Sequence, residues 1–147
     1  MVKGARAVLL EYCASLSASD FKQENSSFGR GSIRNLLVHV ANTYQFWIGQ
    51  HALQQQVHFT AYETIETAAA CKALYSEIDE LMQAFFAAFP DAAAATHISA
   101  SLNGKVYSTT ALELFTHVIT HEFHHKGQVL SLSRHLGYTP IDTDVIR

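Results

Sequence analysis

Four of the nine histidines in this 147-residue chain fall within the stretch His117 to His125. Imidazole ionises nearest neutrality, and in its neutral form it is the commonest metal ligand among side chains. His121 and His125 are four residues apart, so on a helix both rings leave the same face and can converge on one ion. Neutral imidazole nitrogens at about 2.0–2.1 Å suit zinc or nickel first, with iron or cobalt as further options. Two ligands are too few. The best third is His39, at the edge of the apolar stripe of an earlier helix. Three His ligands leave positions open for water or substrate, which is the pattern of a catalytic site. His117, one turn before His121, is a reserve ligand. His124 is rotated by about 100° from His125 and is less suited. A bland alternative stands beside this. A core histidine is usually just hydrogen-bonded, and for His39 alone that reading prevails; the pair on an apolar stripe tips the balance toward metal. His51, His58, His97 and His135 are assigned to surface or packing.

Two short motifs overlap the same segment. His121-Glu122-Phe123-His124-His125 matches H-E-x-x-H, in which two histidines bind zinc and the glutamate acts as general base of a peptidase. The extended form of that motif wants Gly and His further on, where Gln128 and Ser131 stand. No upstream strand is evident to hold an extended peptide. Glu122 with His125 also forms an E-x-x-H unit, as in di-iron bundles, but a second unit and further inward carboxylates are required. The second helix has no carboxylate between Ser32 and Leu53.

The elements that must position these residues read as helices. Val2, Ala5, Val8, Leu9, Tyr12, Cys13 and Leu16 recur at three and four, giving an amphipathic first helix. A polar loop, Asn25 to Gly31, leads to Ser32 as an N-cap. Ile33, Leu36, Leu37, Val40, Tyr44, Trp47 and Ile48 stripe a second helix that ends near Leu53. Residues 54–62 form an ambiguous connector. Thr64 is expected to cap a long third helix with Ile65, Ala68, Leu74, Ile78, Leu81, Met82, Phe85 and Phe89 inward, stopped by Pro90. Thr96 to Ser108, with Asn103-Gly104 between partly alternating residues, reads as a loop or minor hairpin. Thr110 and Glu113 form a capping box for a fourth helix running to about His135, where Gly137 and Pro140 end it. On this helix Leu112, Ile119, Phe123 and Leu130 make one apolar side. Leu114, His121, His125, Gln128 and Leu132 make the other. Glu122, Lys126 and Ser133 form a narrow polar strip between them, and Thr120, Gly127 and Ser131 form a strip of small side chains that a neighbouring helix could approach. The expected class is all-α, an antiparallel four-helix bundle spanning residues 1–147 as a single domain. Tyr44 and Trp47 are expected in the core rather than as pocket walls.

Composition bounds the function. Formal net charge is −3, and Lys and Arg are scattered, which weighs against nucleic acid or an anionic membrane as the main partner. Charged residues make up only 16%, against roughly 25% in an average domain. No apolar run approaches the roughly 18–20 residues that a membrane-spanning helix needs. Lys3 and Arg6 before Ala-Val-Leu-Leu superficially resemble a signal peptide. Glu11 interrupts that apolar region, and the spacing is helical, so the segment is read as the first helix of a cytoplasmic protein. Two cysteines, Cys13 and Cys71, both on apolar stripes, are read as core residues. The low charge and wide apolar surface favour a homodimer.

The segment Leu114 to Gln128, followed by Gly137-Tyr138-Thr139-Pro140 and an acidic tail, resembles the C-terminal signature of the DinB/YfiT-like superfamily of small metal-binding four-helix bundles. Asn35-Leu36-Leu37-Val38-His39 through Phe46-Trp47-Ile48 resembles the second-helix signature. The likeness spans most of the chain and is strongest in the second and fourth helices. It implies a divalent metal on one second-helix His and a later H-x-x-x-H pair, which fall on His39, His121 and His125. Gly127 and Gln128 match the family pattern; Lys126 stands where the family usually has Arg. The resemblance further implies a transferase or isomerase that uses a small thiol of the bacillithiol, mycothiol or glutathione type, with an electrophile as second substrate; a hydrolase that activates water at the same three-His site is the companion reading. A metal would there favour the thiolate. No catalytic residue is assigned, and Gln128 is a weak candidate for substrate contact. The rival is a non-enzymatic, metal-stabilised stress or ligand-binding bundle; an H-E-x-x-H zinc peptidase is a lesser one. Fold alone does not choose between them.

Overall fold

The computed structural model describes residues 1–91 and 96–146. Its order is α1 (Val2–Ala14), a short α2 (Ala18–Lys22), α3 (Ile33–Tyr44), α4 (Ala68–Ala88), strands β1 (His97–Leu102) and β2 (Lys105–Thr110), and α5 (Ala111–His135). The structure is mostly helical, and a two-stranded hairpin amends the all-α expectation.

Most helix starts follow the local chemistry of the sequence. Ser32 accepts from the Asn35 amide, and Thr110 with Glu113 forms the reciprocal capping box. Such caps contribute about 1 kcal/mol each by satisfying amides that have no partner within the helix. The third long helix is the exception. Its cap is Thr67, which accepts from the Ala70 amide. Thr64 instead donates its hydroxyl to the Ala61 carbonyl, closing a single 3-10 turn over Tyr62–Thr64. Ile65 therefore reaches the core from outside the helix.

Beyond Tyr44, α3 continues as a wider π-helical coil over Gln45–Ala52. The end near Leu53 agrees with the sequence pattern, but the widening does not show in it. Gly49 lies in this coil because the connector returns close to it. A Cβ there would sit 2.8 Å from Val57 Cγ1. Asn42 clamps the same connector, its Nδ2 donating to the Thr60 carbonyl and its Oδ1 accepting from the Thr60 amide, both at 2.9 Å.

The hairpin pairs His97 with Thr110 through Leu102 with Lys105. Asn103 (φ +52) and Gly104 (φ +76) make the tight turn, both in the left-handed region that an Asn-Gly pair tolerates. Ile98 and Ala100 face inward, and the other hairpin residues are largely exposed. Thr110 is both the last strand residue and the cap of α5, so the hairpin fixes where α5 begins.

Helix α3 packs on α5 and on α4, and α1 packs on α4. Leu36, Val40 and Ile48 meet a core that includes Val118, Val129, Leu132, Ile78 and Phe85. Cys13 and Cys71 are buried free thiols, each pushed up to about 12 by burial. On helix α5 the narrow polar strip Glu122, Lys126, Ser133 is buried. The helix departs from its sequence reading in three ways. The side expected to pack, Ile119 and Phe123, is only partly buried and lines a cleft of about 600 Å³ facing Val2, Met82 and Phe86. Leu112 is exposed, and nothing lies within 4 Å of a Cβ built on Gly127, so no helix approaches the small-residue strip.

Candidate metal centre

Helix α3 presents His39 toward α5, and α5 presents His121 and His125 one turn apart. Among the described residues these three form the single cluster of potential ligands, one nitrogen from each lying within 4.8 Å of the others. The Nε2 atoms of His39 and His121 are 3.1 Å apart. Two nitrogens bound at about 2.0–2.1 Å with tetrahedral angles lie roughly 3.4 Å apart, so the spacing is compatible with one divalent ion.

Neighbouring polar groups set the rings. Thr43 donates its hydroxyl to the His39 carbonyl at 2.9 Å, and the same oxygen lies 3.2 Å from His121 Nε2. Gln128 accepts from His125 Nδ1 at 2.7 Å, which leaves Nε2 of that ring to face the cluster. An acceptor on the outer nitrogen fixes the tautomer in the way metal-ligating histidines require. The Gln128 amide nitrogen lies 3.2 Å from His124 Nε2, so His124 belongs to this outer layer and does not join the trio. His117 stacks on His121 at 5.9 Å and meets the Trp47 ring at 5.2 Å, beside the cluster but not in it. Trp47 is thus half-buried at the edge of the centre, while Tyr44 is in the core.

The electrostatics keep these rings neutral. Burial, then the Arg30 charge and the other two imidazoles, pulls His39 down to about 4. Burial, then His125 and the neighbouring rings, does the same for His121, also to about 4. Burial lowers His125 against the opposing pull of Gln128. Neutral imidazoles are the form that can donate a lone pair to a metal at neutral pH.

Arg30 is the residue that sequence reasoning missed. Its Nη2 lies 3.4 Å from His39 Nε2. Asn35 Nδ2 holds the Arg30 carbonyl at 2.9 Å, and the Asn25 amide donates to the Gly31 carbonyl, closing the loop that presents it. Loop geometry, not periodicity, carries Arg30 there, so no pattern in the sequence points to it.

The second missed feature is a buried ionic network on the adjoining face of α5. Arg6 donates from Nε to Glu122 Oε1 at 2.8 Å and from Nη2 to Glu122 Oε2 at 2.7 Å, and from Nη1 to Asp79 at 2.7 Å. Tyr44 donates its hydroxyl to Glu122. Burial alone would lower the Arg6 pKa, but the hydrogen bond and charge of Glu122 outweigh it and raise it. Lys126 donates to the Thr143 carbonyl, and Ser133 accepts from the Tyr12 hydroxyl. A signal was available. Arg6 sits at helical spacing from Val2, Leu9, Leu10 and Cys13, and Glu122 from Val118 and Val129, so each charge lies on an apolar stripe. Both Glu122 carboxylate oxygens are occupied by Arg6, so the H-E-x-x-H letters do not supply a free general base beside the imidazoles.

A mostly helical chain with a three-histidine cluster compatible with metal binding is the class that fold and site define. The sequence profile of the DinB family matches residues 1–147, the whole chain, and the protein belongs to that family. No curated protein matches it.

Proposed function

We propose that this DinB-family protein binds a divalent metal, zinc or nickel, through His39, His121 and His125, and that it acts as a thiol-dependent transferase or hydrolase. The observation that supports this most is the convergence of three neutral imidazole nitrogens from two helices. Neutral ligands that leave coordination positions open are the donor set of catalytic rather than structural sites. When bound, the ion supplies Lewis acidity that favours a thiolate, or a hydroxide from water, at neutral pH. Gln128 holds the His125 tautomer, and Thr43 braces His39 and His121. Trp47 and His117 line one edge of the opening. The helical arrangement fits an antiparallel bundle of α1, α3, α4 and α5, with α3 and α5 carrying the centre.

The test is metal analysis of protein purified without a histidine tag, paired with a thiol-plus-electrophile conjugation assay. Wild type is expected to hold about one ion per chain, and His121→Ala/His125→Ala is expected to lose it together with conjugation. Unchanged metal content in the double variant would sink the centre. Metal retained by wild type without any conjugation would leave a non-catalytic metal protein instead.

A further inference from the structure

We propose that the centre takes an oxyanion, a carboxylate or phosphate group of its substrate, held between the three-imidazole cluster and the Arg30 guanidinium. The inference rests on the metal reading above and names the substrate class for that site.

Charge carries it first. The three candidate ligands are neutral, and no carboxylate joins them among the described residues. Glu122, the acid nearest in sequence, is committed to Arg6 on the adjoining face of α5. Three neutral ligands leave a divalent ion both of its charges, and Arg30 adds a third positive charge beside it. Counter-charge must come from what binds.

Position carries it second. Arg30 is exposed, yet its backbone is pinned by Asn35 and its guanidinium reaches the cluster. The ion pairs among the described residues involve Lys3, Arg6, Lys22 and Lys72, and none involves Arg30. Glu24, six residues earlier, bonds the Asn35 amide instead. A guanidinium presents parallel N–H groups that match a carboxylate or phosphate edge, a complement that no neutral substrate group supplies. Arg30 is on this account a substrate-binding residue.

Cobalt-loaded protein tests this directly, because its visible spectrum responds to exogenous ligands. Acetate, inorganic phosphate and neutral imidazole are titrated separately into wild type, Arg30→Gln and Arg30→Lys. Acetate and phosphate are expected to perturb the wild-type spectrum. Arg30→Gln is expected to weaken both by about tenfold, the loss typical of a charge-assisted hydrogen bond. Arg30→Lys should lose less, since it keeps the charge but not the fork. Imidazole affinity and cobalt stoichiometry should stay unchanged in both variants. The stronger of the two oxyanion responses identifies the substrate group as carboxylate or phosphate. Anion affinities in Arg30→Gln equal to wild type would overturn the proposal, as would an equal loss for imidazole. Cobalt binding with no anion response in wild type would overturn it while leaving the metal reading intact; no cobalt binding would overturn both.

Discussion

Consecutive residues of α5 enter two opposite environments. His121 and His125 meet His39 in a cluster of neutral rings with the Arg30 guanidinium beside it. Glu122 meets Arg6, Asp79 and Tyr44 in a network where each charge has a partner. Both regions are polar and enclosed, and they differ in closure. The Arg6 network pairs its charges with one another and ties α1, α3, α4 and α5 together, and Arg6, Tyr44 and Asp79 also line the cleft beside Ile119 and Phe123. The imidazole cluster turns its ring nitrogens toward one another and toward Arg30, and among the described residues no ion pair involves Arg30. Paired charges fit a structural role, and the three-histidine cluster is compatible with metal binding.

The largest test of the contrast falls on the closed region. Glu122→Ala removes one member of a buried pair and leaves Arg6 with Asp79 alone. Urea unfolding should show a loss of about 3–5 kcal/mol. A loss under about 1 kcal/mol would mean the network is not closed in the way described. Next is the open region. Zinc added to metal-free wild type at about 100 times its Kd should raise stability by about 2.7 kcal/mol. His39→Ala should abolish most of that gain, and an undiminished gain would place the metal elsewhere. Gln128→Ala should weaken zinc binding by about tenfold, about 1.4 kcal/mol, with little change in the metal-free fold. If the fold loses as much as the metal affinity does, Gln128 is a packing residue.

The smallest effect is in pH, because His39 and His121 are only partly buried and water screens them. Their folded values lie near 4, below the ordinary 6.5 of histidine. The unfolded chain therefore binds more protons between these values. Metal-free stability should be fully present above about 6.5 and decline as pH falls toward 4. Unfolding measured across that window should show the decline in wild type and a shallower one in His39→Ala/His121→Ala. Stability that rises on acidification would contradict the neutral cluster.

The trio His39, His121 and His125 was legible because helical spacing places the pair on one face and the apolar stripe of the second helix aims His39 inward. The closed network was legible only in part. Arg6 resembled the basic flank of a leader segment, and Glu122 seemed part of a polar strip, because stripe counting treats a charge as outward. A charge on an apolar stripe in each of two helices is the pattern that marks such a pair. Arg30 was illegible, since its place depends on a loop closed by Asn25 and Asn35. The π-helical coil after Tyr44 lies against the returning connector at Gly49 and Val57, and α4 starts at Thr67 because Thr64 closes a 3-10 turn on Ala61 instead; neither shows in local propensity.

The central claim is that one ion sits where the two helices bring three imidazoles together. Crystals grown with zinc and measured on both sides of its absorption edge test it most directly. The account predicts one anomalous peak per chain, about 2.0–2.1 Å from a nitrogen of each of His39, His121 and His125. A peak on other residues, or none at this trio, would contradict it.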